Sequence, residues 1–194
     1  MLDRCRQFCL NFRLIMTISR TKPPDNSLLY SIDKKYDYMD GFQTSFTEAK
    51  NGVTVCDIAK AFLLSAPRWV QHLFTIRNKL VGIFGLKVSR NVDRNELVKN
   101  FNCNKGEQIG LFKVFGKSHD EIILGEDDKH LNFRVSLFLD RPQTDKRQAR
   151  LTISTTVLFN NWLGRLYFLP VKRFHRFIVP IMIKAIIRQL QAQN

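Results

Sequence analysis

The chain has 194 residues, 44% apolar, 25% charged and 11% aromatic, with only 9 Gly and 6 Pro, a composition that excludes collagen-like, low-complexity and wholly disordered classes. One domain is the default at this length, large enough for a solid core or for one hollowed by a pocket. The net charge of +14 is polarised: residues 1–22 carry +4, residues 23–145 only +1, and residues 146–194 hold nine basic and no acidic side chains, which favours an anionic surface or ligand near the termini.

In chain order, Cys5, Phe8, Cys9, Phe12, Ile15 and Met16 fall at helical spacing with Arg4, Arg6, Arg13 and Arg20 outside the stripe. Residues 1–30 therefore read as an N-terminal extension, either a basic amphipathic helix or disordered, and residues 31–194 as a single domain. Thr21 to Ser27, with Pro23, Pro24 and Asn26, reads as a linker. A first strand enters near Phe42 to Phe46, followed by a helix over Thr54 to Ser65. A second helix opens at Pro67 and carries Trp69, Leu73, Ile76 and Leu80 on one face until Gly82 and Gly85. A short helix is expected around Arg94 to Lys99.

The period then changes from 3.6 to 2. Gln108 to Phe115, Glu121 to Gly125, Leu131 to Leu139 and Leu151 to Phe159 are rich in β-branched and aromatic residues and separated by turn chemistry, which predicts an antiparallel meander. In the third of these, Leu131, Phe133, Val135, Leu137 and Leu139 share one face and His130, Asn132, Arg134 and Ser136 the other. Phe174 to Gln191 closes the chain with an apolar stripe broad enough to predict a largely buried helix, kinked or broken at Pro180.

Cys5, Cys9, Cys56 and Cys103 form no CxxC pair and have no histidines at ligand spacing, so no metal or cofactor site is expected. Four thiols do not make a disulfide framework, and no secretory signal is evident; a reducing compartment, the cytoplasm, is the expectation. Lys184, Arg188 and Pro180 interrupt the most apolar stretch, which argues against a membrane-spanning helix. The acidic turn Glu126 to Asp128 reads as turn chemistry rather than a cation site.

Three blocks carry a resemblance: Tyr36 to Phe42 with Arg68-Trp69 and Arg77-Asn78, then Leu124 to Ser136, then Asn160 to Phe168 with Pro170 to Arg176. They resemble the bacterial family called domain of unknown function 2867, over about residues 36 to 190, with Arg173 standing where the family pattern has proline before the Phe-His pair. The resemblance implies an α+β helix-grip fold of the START-like (SRPBCC) superfamily. In it, a curved antiparallel sheet wraps a long C-terminal helix around a cavity for hydrophobic or amphipathic small molecules, with two short helices after the first strand. It supplies no established activity.

The expected function is binding of a small hydrophobic or amphipathic ligand between sheet and helix. Arg134 would hold an anionic head group, and His130 and Glu121 would orient it or move a proton. Ser136, Trp69, Tyr167, Asn161 and His175 are the further candidate contacts. A solvated sheet face, or a structural pairing of Arg134 with a carboxylate, is the competing reading, and His175 lacks a visible partner. The functional alternatives are an enzyme of cyclase, dehydratase or hydrolase type using the same pocket, and a membrane-peripheral protein using its basic termini. No specific nucleic-acid partner is expected, because the basic and aromatic interleaving from Arg165 to Arg176 lacks any recognition motif.

Overall fold

The computed structural model describes residues 16–32, 35–48, 52–65, 94–143 and 147–192. In chain order these form β1 (Ser19–Arg20), α1 (Leu29–Ile32), β2 (Tyr38–Thr47), α2 (Val55–Ser65), α3 (Arg94–Lys99), β3 (Gln108–Ile109), β4 (Phe112–Lys117), β5 (Glu121–Asp127), β6 (Leu131–Asp140), β7 (Gln148–Phe159) and α4 (Trp162–Ala192). The helix expected from Pro67, with Trp69, lies outside the described residues, as does the amphipathic segment upstream of Met16.

All strand pairs are antiparallel, in the order β1-β2-β7-β6-β5-β4-β3. The meander from β4 to β7 is the expected one, and β2 joins it at β7, so the first long strand pairs with the last. The run predicted as one strand from Gln108 is two, because Gly110 turns the chain with a φ of 58°. The result is the α+β, helix-grip arrangement of a long C-terminal helix against an open antiparallel sheet.

Period-2 alternation gives the sheet one apolar face. Phe42 and Phe46 of β2, Leu151 and Ile153 of β7, Leu137 and Leu139 of β6, and Ile122 and Leu124 of β5 all point to the same side and are buried. There they meet Ile58, Phe62 and Leu63 of α2 and Ile183, Ile186 and Ile187 of α4. Helix α2 starts on a reciprocal cap: the Asp57 amide donates to Thr54 Oγ1 (3.2 Å), and the Thr54 amide donates to Asp57 Oδ2 (2.9 Å). Bidentate Arg141 then ties the end of β6 to buried Glu48 after β2 (2.8 and 3.3 Å).

Helix α4 corrects three expectations. It begins at Trp162 rather than at the expected Phe174, so Arg173 and His175 sit well inside the helix rather than at its start. The reason is a strong N-terminus: Asn161 Oδ1 accepts from the Gly164 amide (3.1 Å) as an N-cap. The helix also runs unbroken through Pro170 and Pro180. Each proline removes one donor, and buried Val179, Met182 and Ile183 hold the chain on both sides of the second. Finally, the N-terminal part is buried on one side only: Gly164 and Phe168 are buried, whereas Phe174, Phe177 and Ile181, expected in the buried stripe, are exposed. Gly164 is obligatory for close docking, since a Cβ there would lie 2.0 Å from the His130 carbonyl oxygen.

Residues 21–32 lie across the other sheet face. The segment read as a linker lies against the sheet: β1 extends its edge beside β2, and Pro23, Ser27 and Leu29 are buried.

A further correction concerns the cysteines. Cys56, in the first turn of α2, is disulfide-bonded to Cys103, in the loop before β3, with Cα atoms 5.8 Å apart. The expectation of a reducing compartment rested in part on the absence of a disulfide framework, and this bond weakens that part.

Candidate functional site

The polar residues singled out on β5 and β6 do not face α4. Arg134, Ser136 and Glu121 alternate onto the sheet face turned away from the helix. Glu121, 1% exposed, accepts from Ser27 Oγ (2.5 Å), from the Leu28 amide (2.5 Å) and from Ser136 Oγ. It thereby fastens the N-terminal segment to the sheet. Arg134 is equally engaged: Nη2 pairs with Asp127 (2.7 Å), Nη1 donates to the carbonyls of Phe133 (2.9 Å) and Glu126 (3.2 Å), and the guanidinium lies 3.5 Å from the Phe115 ring centroid. On the same face, an open cleft of about 370 Å³ lies between residues 21–26 and Gln43, Phe138, Asp140, Arg150 and Thr152.

His130 and Asn161 come together at the sheet's end. The His130 ring is within 3.1 to 3.3 Å of the Asn161 amide group, while Asn161 Nδ2 donates to the Lys129 carbonyl (2.9 Å) and Asn160 Nδ2 to that of Asp128 (2.6 Å). These contacts dock the start of α4 on the β5–β6 turn. Tyr167 is half-buried one turn further on.

His175 is the candidate that the fold places between sheet and helix, and the structure supplies the partner that its sequence context did not. Its Nδ1 is 3.1 Å from Asp40 Oδ2, and its Nε2 is 3.3 Å from Thr155 Oγ1. Tyr38 donates its hydroxyl to the same Asp40 oxygen (2.6 Å), and the Tyr38 ring packs edge-on against Phe168 with centroids 4.8 Å apart. Asp40 and Thr155 are a register pair on β2 and β7. Above them Lys172 lies over the Tyr38 ring, 5.3 Å from its centroid. A polar cluster of four side chains is thus set beside the aliphatic and aromatic residues of this layer.

The cluster's electrostatics are defined by Asp40. Burial raises its pKa, but the hydrogen bond and charge of His175, the Tyr38 hydroxyl and the charge of Arg20 outweigh this and hold the carboxyl below its ordinary value. Burial, together with the hydrogen bond to Asp40 and that group's charge, pushes the Tyr38 hydroxyl up, so it stays protonated and donates. Asp40 Oδ1 is fully buried and meets no donor among the described residues, an arrangement that costs about 1–3 kcal/mol unless a donor is brought to it.

Because the folded chain binds the Asp40 proton more weakly than the unfolded chain, the stability this group contributes is present above the unfolded value, about pH 4, and is lost as pH falls through the lower folded value. Urea unfolding of wild type and Asp40→Asn between about pH 6 and pH 2 should therefore show a shallower acid limb in the variant. Superimposable limbs would mean that Asp40 is not the source.

Tyr38 and Asp40 were readable in principle. They continue the alternation of Phe42 and Phe46 backwards along the strand, so a carboxylate was already in phase with a core face. Thr155 likewise shares the phase of Leu151, Ile153 and Val157, not that of the hydroxyl row Thr152, Ser154 and Thr156.

Fold and site together define the class: an open antiparallel sheet gripping a C-terminal helix, with a buried Asp–His–Tyr–Thr cluster where the two meet. The chain belongs to the family described as protein of unknown function DUF2867, whose model matches residues 32–182. A comparison with curated proteins gives no match. Two blocks that carry the family resemblance, Tyr36 to Phe42 and Pro170 to Arg176, are the ones that meet at Asp40 and His175. No helix among the described residues is long and apolar enough to cross a membrane, and no cluster of metal-ligating side chains occurs among them.

Proposed function

We propose that the protein is a START-like binding protein for a small amphipathic molecule, held between sheet and α4 with its polar end at Asp40. The observation that carries this reading is the buried carboxylate oxygen Asp40 Oδ1, which has no donor among the described residues while its sister oxygen has two neighbours. A hydroxyl or ammonium group on a ligand would complete it, His175 and Thr155 would fix its orientation, and the rings of Tyr38 and Phe168 would cover the apolar part. The head group expected here is a donor, because Arg134, the residue suited to an anion, is already committed to Asp127 and two carbonyls on the other face.

Native mass spectrometry of the purified full chain, followed by organic extraction, tests this without a guess at the ligand. An amphipathic alcohol or amine should travel with the wild type and with Arg150→Ala, and be lost from Asp40→Ala and His175→Ala. Loss in Arg150→Ala alone would move the site to the cleft on the other face. A protein that carries nothing and takes up none of a series of amphipathic alcohols and amines would defeat the reading.

A further inference from the structure

The exposed side of α4 combines two properties that rarely share a solvent-facing surface. Trp162, Leu166, Leu169, Phe177 and Ile181 are between 49% and 69% exposed, at spacings of three, four and eight residues that keep them on one side of the helix. Spaced among and beside them are Arg165, Lys172, Arg173, Arg176, Lys184 and Arg188, all exposed, and the helix contains no acidic residue. From Trp162 to Ile181 the stripe runs roughly 28 Å at a rise of about 1.5 Å per residue.

We propose that this face of α4 docks on the surface of an anionic lipid bilayer. The charge complementarity is one-sided: six cations of the helix lie in a C-terminal region, residues 146–194, that has no acidic side chain at all. Asp37 sits 3.9 Å from Arg165 and offsets that residue. The shape is a helical ridge whose apolar tips protrude between cations. A planar, deformable, negatively charged surface accepts such a ridge, the rings and leucines entering the acyl boundary while the Lys and Arg stems reach back to the head groups. The long axis lies in the membrane plane, consistent with a helix that is too charged to span it. The inference rests on exposure and charge and is independent of the ligand at Asp40, which binds the opposite side of the same helix.

The test is co-sedimentation of the full chain with vesicles of phosphatidylcholine containing phosphatidylserine, and with phosphatidylcholine alone. Wild type should bind the anionic vesicles at least about tenfold more strongly than the neutral ones, with an affinity that falls steeply as salt is raised. Leu169→Glu/Phe177→Glu, at two exposed positions, should lose about tenfold or more of that binding while keeping the wild-type circular dichroism and melting temperature. Equal binding by the variant, or no binding by wild type to either vesicle, overturns the proposal. So does wild type that ignores vesicles but dimerises in sedimentation velocity while the variant stays monomeric, an outcome that assigns the face to a second copy of the chain.

Discussion

Glu121→Ala is expected to cost about 3–5 kcal/mol, because it removes the buried acceptor shared by three donors, the Ser27 hydroxyl, the Leu28 amide and the Ser136 hydroxyl. The Ser27 hydroxyl also accepts from the Leu29 amide (3.2 Å), so the carboxylate fixes the start of α1 as well as its place on the sheet. The loss should be visible as a lower urea midpoint and, in hydrogen exchange, as loss of protection concentrated in residues 16–32. Glu121→Gln keeps the size and one acceptor oxygen but presents an amide NH₂ to a donor, and should fall between the two. If protection of residues 16–32 survives in Glu121→Ala, the carboxylate does not fasten that segment.

Removing the disulfide is the second large effect. The bond joins residues 47 apart, and the chain-entropy estimate for a loop of that size is about 4 kcal/mol. Cys56→Ser/Cys103→Ser should therefore melt roughly 8–16 °C below wild type, and wild type treated with reductant should reproduce most of that loss. Thiol titration of the unfolded, unreduced protein decides whether the bond exists in solution: two of the four cysteines should react. Reaction of all four would refute the pairing.

Much of the fold was legible. The change of period after Lys99, the meander segments and their turns, and the order of strand, helices, meander and C-terminal helix follow from where apolar residues recur, and the helix-grip arrangement from the family resemblance. The boundaries of α3 were matched residue for residue, Arg94–Lys99. The site was legible only in part. His175 was singled out, but its partner sits 135 residues earlier, and a separation of that size leaves no local trace. Cys56 and Cys103 pose the same problem at a separation of 47. On β6 the alternation correctly separated Arg134 and Ser136 from the apolar face. Placing a sheet–helix pocket on their side conflicted with the helix's need to cover the apolar side, where α4 in fact lies.

By itself the sequence determined the elements, their antiparallel succession and the strongly basic C-terminal region, because these are set by local periodicity, turn residues and charge count. Only the tertiary structure decided which side chains meet. Alternation says that a strand has two faces but not what covers each. That choice was made by the burial of α2 and the second half of α4 on one face and by the binding of residues 16–32 to Glu121 on the other. It left Asp40 and His175 together beneath the helix and the outer side of its first half, from Trp162 to Phe177, facing solvent.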